Sequence, residues 1–95
     1  MSRIWREDLN DWVEFAREGG YNQLLVFTST TDVYTEYPVY VKGDALDMEY
    51  AKVSCLMKGH LHEGTIDMSA DVDRQVEELA KEMCLVSFDN GRALK

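Results

Sequence analysis

Asp44-Ala45-Leu46-Asp47-Met48-Glu49-Tyr50-Ala51-Lys52-Val53-Ser54-Cys55-Leu56-Met57-Lys58-Gly59 decides how many strands this chain has. As a helix, the segment would open on an Asp44 cap, close at Gly59, and line up Leu46, Tyr50, Val53 and Met57 on one face. As a strand, its second half alternates, with Ala51, Val53, Cys55 and Met57 against Lys52, Ser54 and Lys58. The alternation favours a short turn over residues 44–48 and then a strand over about 49–57.

On either side the patterns are plainer. Upstream, Ser2 can cap a helix over residues 3–18, in which Trp5, Leu9, Trp12, Val13 and Ala16 recur at helical spacing. Gly19-Gly20 ends it, because glycine readily takes the left-handed conformation that stops helices. Residues 21–31 form a strand around the apolar run Leu24-Leu25-Val26-Phe27. After a turn at 29–32, residues 33–41 alternate Val33, Thr35, Tyr37, Val39 and Val41 against Tyr34, Glu36, Pro38 and Tyr40. Pro38 has no N–H to give a ladder, so this strand is predicted at a sheet edge or bulged.

Downstream, Lys58-Gly59 turns into a strand over residues 60–68. Ser69 or Asp71 opens a second clear helix to about Cys84, with Val72, Val76, Leu79 and Met83 as its buried stripe. A last strand is expected over 85–88, before the turn Asp89-Asn90-Gly91. The expected fold is α+β: one small acidic domain over 1–95. It has an antiparallel sheet of about four strands, with an N-terminal and a C-terminal amphipathic helix packed on one face.

Charge is the feature that points toward a partner. Asp and Glu number 18 against 10 Lys and Arg, for a net charge of −8. The hydrophobic fraction is 45%, enough for a modest core, so a disordered acidic tail is excluded. The basic residues occur singly, which argues against direct binding of nucleic acid and against an anionic membrane surface. No stretch approaches the roughly 20 apolar residues of a membrane span. Two cysteines, Cys55 and Cys84, and no apolar N-terminal run lead to the expectation of a cytoplasmic, reduced protein, in the host cytoplasm if viral.

Glu7, Asp11, Glu14 and Glu18 recur at i, i+4, i+7 and i+11, so a helix projects them from one stripe opposite its apolar side. In the second helix Asp71, Glu78 and Glu82 share a face with Gln75, while Asp73 and Glu77 lie on another. Carboxylates about 6 Å apart along a helix resemble a row of phosphates. They suit the groove of a basic, nucleic-acid-binding protein, and encounter with it would be electrostatically steered. The competing reading is an ordinary solvated face, since Arg3, Arg6, Arg17, Arg74 and Lys81 can pair locally with Glu7, Glu14, Glu77 and Glu78.

Two other constellations carry chemistry. Cys55-x4-His60-Leu61-His62-Glu63 places two histidines on one side of a strand, a start toward a metal site. Zinc needs three or four converging ligands, and Cys55, Glu63 and Asp67 reach it only by forcing, so no metal or cofactor is expected. Phosphate loops, the G-x-S-x-G elbow and H-E-x-x-H are absent, and a pairing of Cys55 or Cys84 with His60 or His62 lacks an orienting third group. The chain is therefore expected not to be an enzyme. Tyr34, Tyr37 and Tyr40 on the edge strand could instead serve a partner or a homodimer.

The reading that joins these observations is a non-enzymatic acidic inhibitor of a nucleic-acid-handling protein. By size and charge it is similar, as a class, to small phage proteins that block host defence, such as anti-CRISPR or anti-restriction inhibitors, some acting as DNA mimics. The alternatives are a regulatory subunit dimerising through Tyr34 and Tyr40, and a small metal-binding protein using His60 and His62.

Overall fold

Residues 6–30 and 35–83 are described in the computed structural model. They form α1 (Arg6–Glu18), β1 (Gln23–Ser29), β2 (Thr35–Val41), α2 (Ala45–Met57), β3 (Leu61–Asp67) and α3 (Val72–Glu82). The fold is α+β, with an antiparallel sheet in the order β2-β1-β3. Pro38 lies on β2, an outer strand of this sheet, as its missing N–H requires.

β1 is the middle strand and is covered on both sides, which is why its apolar residues run consecutively rather than alternating. Leu24, Leu25, Val26, Phe27 and Thr28 are all buried. Leu24 and Val26, with Ile66 of β3, pack against Leu9, Val13 and Ala16 of α1 and Val76, Leu79 and Ala80 of α3. Leu25 and Phe27 face the other way, into a second cluster with Val41, Cys55, Met48 and Ala51. An ion pair from Arg6 Nη2 to Glu77 Oε1, at 2.6 Å, joins α1 to α3.

The strand expected over 49–57 is instead the helix α2, and the described sheet has three strands rather than four. The local chemistry explains the difference. Asp44 Oδ1 accepts from the backbone N–H of Leu46 and of Asp47, each at 3.0 Å, and Asp47 Oδ2 accepts from the Asp44 N–H at 3.1 Å. This reciprocal box satisfies donors that an opening helix leaves unpaired. At the other end Gly59 adopts φ +85°, the left-handed conformation that terminates a helix. Between the caps, Met48, Ala51 and Cys55 recur at helical spacing and close the second cluster. The strand expected over 85–88 lies outside the described residues, as do Ser2, Trp5, Tyr34 and Cys84.

β3 carries a bulge. Val26 pairs with Gly64 but Phe27 pairs with His62, leaving Glu63 as the extra residue. The bulge switches the strand's faces, so Gly64 and Ile66 look toward α3 whereas His62 stacks near Phe27, with ring centroids 5.1 Å apart. A Cβ at Gly64 would overlap Leu79 Cδ1, so glycine there lets α3 lie close on the sheet.

Candidate interaction surfaces

α1 carries the first surface. Successive residues turn about 100°, so the buried Leu9, Val13 and Ala16 place Glu7, Asp11, Glu14 and Glu18 on the opposite side. Asp11, Glu14 and Glu18 are exposed and Glu7 is half-buried. Glu14 approaches Arg17 Nη1 at 3.8 Å, with both side chains more than half exposed, so the pair is weak.

The α3 carboxylates are placed differently. Asp71 is the N-cap, its Oδ1 accepting from the Arg74 N–H at 3.2 Å. Glu78 meets Arg74 at 4.0 Å, and Glu78 and Glu82 line a shallow groove with Gly64, Thr65, Gln75 and Leu79, on the side of α3 toward β3. Glu77, on the other side of α3, reaches Arg6 of α1. Arg74 and Lys81 fall between these sides, away from the buried Val76 and Ala80. The two acidic stripes are thus separate rows, divided by Arg6, Arg74 and Lys81.

Beside the α1 row lies an aromatic group. Phe15 remains 53% exposed. Its ring centroid is 4.7 Å from Tyr40 and 6.2 Å from Tyr21, and Tyr21 and Tyr40 are 5.4 Å apart. Lys42 Nζ sits 4.9 Å from the Tyr21 ring centre, a cation–π distance. Tyr40 is half-buried against this group, and burial raises its phenol pKa. Its ring is therefore engaged with α1 rather than standing free on the edge of β2.

His60 and His62 lie on the α2 side of the sheet, each against a hydroxyl. The Tyr37 hydroxyl is 2.5 Å from His60 Nδ1, and His62 Nε2 is 2.9 Å from Thr65 Oγ1. Burial, and then the nearby Lys52 charge, lower the His62 pKa and favour its neutral ring. Tyr37 touches both Cys55 and His60; burial first, and then the Cys55 thiol, push its phenol up to about 12. Among the described residues no three His, Cys, Asp or Glu side chains converge as metal ligands. On the opposite face Thr28 donates to Glu63 Oε2 and pairs across the sheet with Glu36, whose Oε1 is buried without a hydrogen-bond partner.

Tyr37 yields a pH expectation. The folded chain holds the Tyr37 proton more tightly than the unfolded chain, whose tyrosines titrate near 10. Stability is therefore intact below about pH 10 and falls as pH rises toward the folded value of about 12. Alkaline titration followed by tyrosinate absorbance is expected to show a step near pH 12 that Tyr37→Phe removes. An unchanged titration in that variant would contradict the assignment.

Two further features emerge only from the structure. A cleft of about 570 Å³ opens between the end of α1 and the start of α3, lined by Arg17, Tyr21, Asn22, Ser69, Asp71 and Asp73 among others. The outer side of α2 is apolar: Leu46 is 76% exposed, Tyr50 78%, Val53 45% and Met57 83%. These four residues are the face noted in the helical reading of the segment, and they turn out to point away from the core. No described helix is long and apolar enough to cross a membrane. Comparison of the chain with protein-family models, curated proteins and solved structures finds no match.

Proposed function

We propose that this chain is a non-enzymatic binding protein that lays α1 into the basic groove of a nucleic-acid-handling protein and blocks it, as an anti-CRISPR or anti-restriction inhibitor of phage type would. The observation that carries the reading is the placement of Glu7, Asp11, Glu14 and Glu18 on the side of α1 opposite Leu9, Val13 and Ala16. Three of the four are exposed, and together they place several negative charges along about 16 Å of helix. Phe15, 53% exposed at the margin of the row, supplies the apolar contact that charge alone lacks.

α1 ranks ahead of α3 in this reading. Asp71 is committed to capping, and Glu78 and Glu82 line a groove against β3, so the α3 carboxylates do not form one outward row. Asp71, Glu78 and Glu82 then serve as a secondary rim.

The test is affinity capture from bacterial lysate, washed in parallel at low and high salt, with identification of the bound proteins. Screening shortens the reach of exposed charges from about 10 Å at 0.1 M salt to about 3 Å at 1 M. The expected result is a nuclease or other nucleic-acid-handling protein held at low salt and released at high salt. Recovery only of partners that survive high salt, or of none, would overturn the reading.

A further inference from the structure

We infer that the outer face of α2 is a dimer interface, on which a second copy of this chain packs its own α2 antiparallel. Leu46, Tyr50, Val53 and Met57 form one stripe along the whole helix, diametrically opposite the buried Cys55. Leu56, 45% exposed, widens it on one flank. Isolated apolar side chains are ordinary on a surface, but a contiguous stripe at helical spacing marks a contact face.

The spacing selects the occupant. Steps of four, three and four residues read the same in both directions. When α2 is laid antiparallel on its copy, Leu46 meets Met57, Tyr50 meets Val53, and each contact recurs by two-fold symmetry. Glu49 then lies across from Ser54 and Asp47 across from Leu56, so no like charges oppose each other at the seam. Antiparallel helices also set their dipoles in the favourable sense. Five side chains of this exposure offer on the order of 600 Å² per copy, or about 1,200 Å² for the pair, the lower end of what stable interfaces bury. Tyr and Met are residue types enriched in such contacts.

The α2 face is separate from the α1 row, because α1 and α2 pack on opposite faces of the sheet. Salt also separates the two. A chain of net charge −8 repels its copy, so salt is expected to tighten the dimer, whereas it loosens a charge-driven complex.

Sedimentation equilibrium of the full chain, over a range of concentrations at low and high salt, tests the inference. The expected result is a monomer–dimer equilibrium that salt shifts toward dimer. Tyr50→Glu and Val53→Glu, both at exposed positions, are each expected to weaken association about 100-fold or more with an unchanged circular dichroism spectrum. A monomer at every concentration, or a dimer indifferent to both variants, would overturn the interface. The register has its own readout: Tyr50→Cys protein mixed with Val53→Cys protein is expected to form the 50–53 disulfide under mild oxidation. Only 50–50 and 53–53 links would show parallel packing and overturn the antiparallel arrangement.

Discussion

Phe27→Ala is expected to destabilise the domain by about 3–5 kcal/mol, the usual cost of emptying a well-packed aromatic site. Phe27 is fully buried on the middle strand. Its ring centroid lies 6.0 Å from Tyr37 on one side and 5.1 Å from His62 on the other, beneath α2. Both neighbours are anchored by their own hydrogen bonds, Tyr37 to His60 and His62 to Thr65, so collapse into the cavity is resisted. A domain of this length has roughly 5–14 kcal/mol of total stability, so the substitution removes a large share of it. Urea denaturation followed by circular dichroism should show the midpoint falling steeply, with Phe27→Leu in between. A midpoint near that of the parent protein would mean that α2 does not seal this cluster.

The second large effect concerns binding. The fourfold replacement Glu7→Lys, Asp11→Lys, Glu14→Lys and Glu18→Lys is expected to weaken capture of a basic partner by at least about 100-fold, since each rim or partly buried charge pair lost or reversed costs on the order of 1 kcal/mol. The fold should survive. The row lies opposite the buried side of α1, the Glu14–Arg17 approach is long and exposed, and half-buried Glu7 gives up a contact of its own at the helix start. A lysine in the first turn at position 7 opposes the helix dipole by about 0.3–1 kcal/mol, which thermal denaturation can register. The matched replacement of Asp71, Glu78 and Glu82 by lysine is expected to have the smaller effect on binding. Equal binding by the α1 variant and the parent would remove α1 from the interface.

Much of the fold was legible in the chain. α1 and α3 have apolar residues on one side and charges on the other, so their periodicity is clear; the apolar run of β1 marks a strand; and Pro38 marks β2 as an outer strand, whereas the cover on the second face of β1 comes from α2, which the expected helices on one face leave out. α2 hides its helical period for a physical reason. Met48, Ala51 and Cys55 are apolar because they face the sheet, while Leu46, Tyr50, Val53 and Met57 are apolar on the outside, so the polar Asp47, Glu49, Lys52 and Ser54 are split between two flanks and form no single polar side to reveal the helical period. Sampling every second residue from such a helix, as in Ala51, Val53, Cys55 and Met57, imitates a strand. The Asp44 and Asp47 box was the better signal, because capping depends on local donors and not on which side is buried.

The surfaces were legible to a lesser degree. The α1 row follows from spacing alone. Its separation from the α3 row by Arg6, Arg74 and Lys81 depends on how the two helices lie side by side, which a one-dimensional pattern does not contain. Strand alternation puts Tyr40 at the edge, but it does not reveal that Phe15 and Tyr21 close over it. The Glu63 bulge is equally hidden, and it is what brings His62 beneath α2.

The most direct measurement of the α1 reading is competition. The partner captured at low salt would be loaded with a fluorescent DNA or RNA duplex and titrated with this protein at constant ionic strength, following duplex release by anisotropy. Stoichiometric release by the parent protein, and none by the fourfold lysine variant, is the expected result. A ternary complex in which the duplex and this protein bind together would contradict the claim that α1 occupies the nucleic-acid groove.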